Sequence, residues 1–297
     1  MGSSLFFLIL FLDKYYNNEN TNRGKIIMIS TLWRGKNYKS SIKYLINTYI
    51  REYDLSKANI NALLYTGRIN REEYNRLYSM DKKDREVLVG LMIKEDNTIY
   101  KSISDGIEEA RKRLFVANQI EDYEVLSIRN DAVFIQGRPL QYTSFKDFIF
   151  VMKNEYTMYL KLQELEIFYS DTIDINTGEL VTNIDIKGMS EYNMSLHSNG
   201  LLGLICDICY RLQREKIEST MSWIINIYEK FIKRELPKEY YRTFDHNSGY
   251  NIPTFIRSAN LFDIDDSMIS IVDINRNLLI LRDIVSIISD IYRTKIK

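Results

Sequence analysis

Histidine, cysteine and proline are nearly missing from this chain, with two, two and three residues among 297. Each scarcity removes a class of protein. Cys206 and Cys209 stand alone and three positions apart, so no disulfide framework is possible and a reducing compartment, the cytoplasm of a bacterial cell, is expected. Together with His197 and His246 they are the only soft ligands for a zinc site. The segment Gly203-Leu204-Ile205-Cys206-Asp207-Ile208-Cys209 has the texture of a buried helix face, so core packing is expected there and zinc is not. Three prolines and twelve glycines argue against long linkers and low-complexity tails. Long apolar runs are also lacking. Residues 5–12 form a run of eight, well short of the roughly 20 that span a bilayer, and they carry no basic flank or small-residue cleavage site, so no membrane partner is expected. No glycine-rich phosphate loop and no Ser/His/Asp or Cys/His nucleophile pattern occurs.

Net charge is zero, which disfavours indiscriminate phosphate binding through bulk charge. The charge is unevenly spread, however. Residues 28–120 hold 17 basic and 12 acidic side chains, whereas residues 121–200 hold 6 and 13. A local basic channel beside an acidic metal site is compatible with that distribution. Arg23-Gly24-Lys25 resembles the translated shadow of a purine-rich ribosome-binding site with Met28 as the true start, so residues 1–27 are expected to be an untranslated leader.

Residues 37–52 place Ile42, Leu45, Ile46, Tyr49 and Ile50 at helical spacing. Asn70 with Glu73 reads as a capping box, and Asp81 as the cap of a further charged helix. Residues 106–119 repeat apolar positions on one helical face. Between Val125-Leu126-Ser127-Ile128 and Ala132-Val133-Phe134-Ile135 stands the polar triplet Arg129-Asn130-Asp131, which has the composition of a hairpin turn. From residue 201 onward the patterns at 201–217, 219–236 and 276–293 are long and amphipathic. The expectation is an α+β fold, with a mixed domain over 28–200 and a mainly helical region over 201–297.

Asp54 and Asp131 are the aspartates whose context stands out. Two aspartates from distant points of a chain can hold two divalent cations about 3.5–4 Å apart, and magnesium favours such hard oxygen ligands. Taken singly, each reads equally well as a cap or turn residue.

The order of features resembles the palm of family-B DNA polymerases. Tyr53-Asp54-Leu55-Ser56-Lys57-Ala58-Asn59 is similar to that family's first aspartate and the turn behind it. Lys82 and Gly90 keep the spacing of its nucleotide-binding helix, with Glu86 and Val89 where the family has Asn and Tyr. Gly106 fits the family's Gly-Arg pair and Ile107 does not. Arg129-Asn130-Asp131-Ala132-Val133-Phe134 resembles its Asp-Thr-Asp-Ser-Val-Phe hairpin, with Asp131 on the second aspartate and Arg129 on the first. Lys153-Asn154-Glu155-Tyr156 is similar to its primer-holding segment, and Ile186-Lys187-Gly188-Met189 to a later Lys-Gly element. The resemblance spans residues 53–190. It implies an antiparallel palm-like sheet followed by a thumb-like helical region, in a protein of phage or mobile-element origin. It further implies Mg²⁺ on Asp54 and Asp131, an incoming nucleotide on Lys82 and Arg85, and a DNA primer-template against Lys153, Tyr156 and Lys187. The alternative is a catalytically inactive palm-like protein that binds nucleic acid or a replication partner, or a structural phage protein. Lys82, Lys83 and Arg85 then form an ordinary solvated helix face.

Overall fold

A computed structural model describes residues 29–175, 177–188, 200–241 and 271–296. The expectations for residues 1–27, His197, His246, Asn176 and Met189 lie outside the described residues. The fold is α+β, built on one antiparallel sheet of seven strands in the order β1-β3-β4-β2-β5-β6-β7. The strands are β1 (Asn37–Lys39), β2 (Tyr44–Leu55), β3 (Val125–Arg129), β4 (Ala132–Gln136), β5 (Phe150–Leu162), β6 (Leu165–Ile173) and β7 (Leu180–Lys187).

Residues 37–52, expected to be helical, hold no helix: Asn37–Lys39 form β1, residues 40–43 are a short connection, and β2 begins at Tyr44, its pairing with β5 slipping between Ile46 and Ile50. Asn47 sits at that slip with φ of 56°, in the left-handed region. An irregularity of this kind moves the side-chain alternation out of phase, so the apolar residues before and after it fall at three- and four-residue spacings. A strand can then imitate a helical period.

Helices α1 (Ala58–Tyr65), α2 (Arg71–Ser79), α3 (Lys82–Glu95) and α4 (Thr98–Asn118) connect β2 to β3 and bury one face of that half of the sheet. Tyr53, Leu55, Val125, Ile128, Val133, Ile135 and Phe150 meet Ile60, Leu63, Ile103, Ile107 and Leu114 there. The capping box is present at Asn70, with Glu73 N–H donating to the Asn70 side chain at 2.9 Å. Gly106 has a packing reason. A Cβ at that position would lie 2.5 Å from Ala62 Cβ and 2.7 Å from its Cα, so only glycine lets α4 press this closely on α1.

The other half of the sheet carries a second core. Met158, Leu160, Ile167, Tyr169 and Ile186 pack against α5 (Leu201–Arg214), α6 (Ile217–Ile232) and α7 (Ile271–Ile296). Cys209 is fully buried among them and Cys206 is partly buried, and burial pushes both thiols up. Opposite these helix layers the sheet curls onto itself. Phe134 of β4 stacks on Phe168 of β6 with ring centroids 4.3 Å apart, and Tyr156 and Tyr159 pack around them. An ion pair from Arg129 of β3 to the wholly buried Glu166 of β6 crosses the same inner face, and Ser127 and Tyr159 also donate to Glu166. Among the described residues no helix is long and apolar enough to cross a membrane.

Candidate functional site

The site begins where β2 ends. Tyr53 and Leu55 are buried beneath the helices, so the strand's alternation turns Asp54 to the opposite face. The register sets Asp54 beside Ala132 of β4 and Val151 of β5. Asp131 is the residue before Ala132, and its carbonyl accepts the Leu55 N–H at 3.0 Å. Two aspartates far apart in sequence thus reach neighbouring places at one end of adjacent strands. The turn is tighter than the polar triplet suggests. Arg129 is the last residue of β3, and only Asn130, with φ of 52°, and Asp131 make the reversal. Burial above all, and then the charge of Asp54, holds the Asp131 carboxyl above the ordinary carboxylate range.

Lys153 joins this pair through a second irregularity. β2 and β5 align Glu52 with Asn154 and Tyr53 with Met152, which leaves Lys153 as an extra residue on β5. A bulge re-aims the side chain it carries. Here the Lys153 ammonium lies 2.5 Å from Asp54. That hydrogen bond holds the lysine above its ordinary range, with the charges of Asp54, Glu52 and Asp131 adding to it and desolvation opposing.

Both aspartates and Lys153 line an open cleft of about 560 Å³. Its other wall comes from α3, through Lys82, Arg85, Glu86 and Val89, and from Lys57 and Asn59 at the start of α1. Asp81 caps α3 by accepting the Asp84 N–H at 3.0 Å, which fixes the turn that presents Lys82 and Arg85. Arg85 donates to the Met80 carbonyl at 3.2 Å, and Lys82 faces Glu86 at 3.8 Å in a solvent-exposed pair of little energetic weight. Lys57, held in the left-handed region with φ of 49°, reaches across to the Tyr78 carbonyl and lies over its ring. Four cationic side chains, Lys57, Lys82, Arg85 and Lys153, therefore share one concave space with three carboxylates, Asp54, Asp131 and Glu86.

Tyr156 and Lys187 lie elsewhere. Tyr156 is fully buried, and its hydroxyl donates to Asp185 at 3.3 Å and Glu52 at 3.4 Å. Lys187 pairs with Asp185 at 2.6 Å and with Glu52 at 3.9 Å. Asn154 completes this second cluster by donating to Glu52 at 2.7 Å. The cluster lies on the same face of the sheet as Asp54, with Glu52 two residues before it on β2, and neither Tyr156 nor Lys187 lines the cleft.

The donor set suits a hard divalent cation. Asp54 and Asp131 offer carboxylate oxygens alone, as magnesium prefers when water and substrate phosphates supply the remainder. Among the described residues no third His, Cys, Asp or Glu converges with them. Two residues of the site, Lys57 and Arg111, carry no motif of their own. Lys57 lies within Tyr53–Asn59, but nothing in the sequence says which way its side chain turns. Arg111, in the middle of α4, is buried behind the Asn130-Asp131 turn. The helical period places Arg111 on the apolar stripe with Ile107, Ala110 and Leu114, but which backbone groups it reaches there is not written in the sequence.

The model of the family described as bacteriophage PBS1 gene 130 protein matches residues 28–290. No curated protein matches the chain.

Proposed function

The chain belongs to the bacteriophage PBS1 gene 130 protein family, and with that phage membership as premise we propose that it is a palm-like nucleotidyltransferase acting on a DNA primer-template in the host cytoplasm. The observation that carries the proposal is the meeting of Asp54 and Asp131 at the ends of neighbouring strands, inside a cleft whose other charged groups are mostly cations. Phosphoryl and nucleotidyl transfer rely almost wholly on positioning and on charge stabilisation. Asp54 and Asp131 would hold Mg²⁺, which when bound supplies charge neutralisation to the phosphates and to the attacking oxygen. Lys82 and Arg85, with Lys57 beside them, would bind the triphosphate of the incoming nucleotide. Lys153 would release Asp54 on metal binding and turn to the primer strand. Tyr156 and Lys187 would support the site from beside it, by fixing Glu52 two residues before Asp54 on β2. In this scheme residues 28–200 are the palm-like part and residues 201–297 the thumb-like part.

The test is primer extension with purified protein, deoxynucleotides and Mg²⁺. Extension is expected in the wild type and should fall by about a hundredfold or more in Asp54→Asn and Asp131→Asn, the scale of loss when reacting groups are misplaced. Extension that survives both substitutions ends the catalytic reading.

One observation favours a second reading. Asp54 is already neutralised by Lys153, which leaves the cleft cationic as it stands. A catalytically inactive protein that binds nucleic acid, alone or with a replication partner, would use the same lysines. Salt-dependent binding of single-stranded DNA with no extension under any divalent cation would select it.

A further inference from the structure

Arg111 is 1 % exposed, the largest of the fully buried side chains, and lies in the middle of α4. Both of its hydrogen-bond partners are backbone carbonyls. Its Nε donates to Trp33 at 3.0 Å and its Nη1 to Asn130. The carboxylates that it feels, Glu108 and Asp131, act on it through space, and burial lowers its pKa to about 10. Burying a charged group without a bonded counter-ion is costly, and an apolar residue of similar volume packs such a position at lower cost. The guanidinium has one property that an apolar residue lacks, a rigid fork of donors that grips two points at once. Those two points are the chain segment before β1 and the residue next to Asp131. Asn130 is held from that segment as well, since its N–H donates to the Lys36 carbonyl at 2.7 Å. On the far side, the Leu55 N–H fastens the Asp131 carbonyl to β2.

We propose that Arg111 is a positioning residue, which holds the β3–β4 turn from behind so that the Asp131 carboxylate stands against Asp54. The inference rests on the nucleotidyltransferase reading for its purpose, but the grip itself is a property of the fold. An arginine serving the packing of α4 alone would need no contact with the turn. Here the one turn residue adjacent to the candidate ligand is the one it holds.

Two readouts separate the grip from its purpose. The first is amide hydrogen exchange in the protein without added metal, comparing wild type with Arg111→Lys and Arg111→Met. Lysine keeps a cation in place but cannot span both carbonyls. Exchange at Asn130, Asp131 and Leu55 is expected to quicken at least tenfold relative to amides in the α5–α6 region. Unchanged exchange at the turn in folded Arg111→Lys overturns the proposal. Should Arg111→Met fail to fold, Arg111→Lys decides. The second readout is Mn²⁺ binding followed by electron paramagnetic resonance. Wild type is expected to bind Mn²⁺, Asp131→Asn to lose binding, and folded Arg111→Lys to bind about tenfold more weakly. Wild-type affinity in Arg111→Lys, with binding lost in Asp131→Asn, overturns the positioning role. Absence of Mn²⁺ binding in the wild type overturns the metal reading, and with it the purpose assigned to Arg111.

Discussion

Asp131 is the residue at which local energetics and the proposed chemistry pull in opposite directions. Its carboxyl binds a proton more tightly in the fold than in the unfolded chain, because of burial first and the neighbouring Asp54 charge second. A carboxyl raised in this way makes the native state the better proton binder, so stability falls as pH rises from the ordinary carboxylate range through the titration of Asp131. At neutral pH the metal-free protein therefore carries a penalty that Asp131→Asn removes. That variant is expected to melt at a higher temperature than wild type at pH 7, with the gap closing on acidification. Thermal denaturation at several pH values in the presence of a chelator checks this, and a lower melting temperature for the variant at pH 7 would contradict it. A group that costs stability where it stands is a group whose place is explained by something other than stability. At this scale the sequence singles out Asp54 and Asp131 from their context, and the fold brings them together. Lys57 was not legible because the direction of its side chain is not written in its neighbours, and for Arg111 the apolar stripe of α4 marks burial but not the distant carbonyls it grips.

Among the elements, α1 and α3 wall the cleft, and α4 backs α1 at a separation that Gly106 sets. Gly106→Ala would gain up to about 1 kcal/mol of helix propensity. The added methyl meets the Ala62 backbone rather than a movable side-chain end, and overpacking of that kind costs about 1–3 kcal/mol. Net destabilisation is expected, read as a lower midpoint in urea unfolding. Because α1 follows directly on Asp54, weaker primer extension should accompany it. A neutral or stabilising result would show that α4 can move away from α1 freely. Asp81→Ala tests another element. Its loss unties the first turn of α3, so the amides of Asp84 and Arg85 should exchange faster while those of α4 stay protected. The capping signals at Asn70 and Asp81 were plain in the sequence because caps are local chemistry. The strand that begins at Tyr44 was hidden because its irregularity at Asn47 broke the period on which strand recognition depends.

At the level of the whole molecule, the two helix layers lie outside a sheet that is curled onto itself and pinned across its inner face by Arg129 and Glu166. Arg129 stands where the resembled polymerase hairpin has an aspartate, and its partner on β6 gives it a structural employment. Removing one member of a buried pair strands the other, so Glu166→Leu is expected to cost about 3 kcal/mol in chemical denaturation. Arg129→Met combined with Glu166→Leu should be less damaging than Glu166→Leu alone. A double variant as unstable as that single one would mean that packing around Phe134 and Phe168, rather than the pair, joins the halves.

The sequence by itself determined the α+β class, the helical character of residues 201–232 and 271–296, the hairpin between Val125 and Gln136, and the two aspartates worth following. These rest on short-range periodicity, capping and turn chemistry, which act between residues close in the chain. Only the tertiary structure decided that residues 37–39 and 44–52 are strand, that Tyr156 and Lys187 brace Glu52 instead of lining the cleft, and that Lys153 is turned onto Asp54 by a bulge. It alone decided that Arg111 stands behind Asp131. Each of those depends on which strand lies beside which and in what register, and a shift of one residue in that register moves every side chain to the other face.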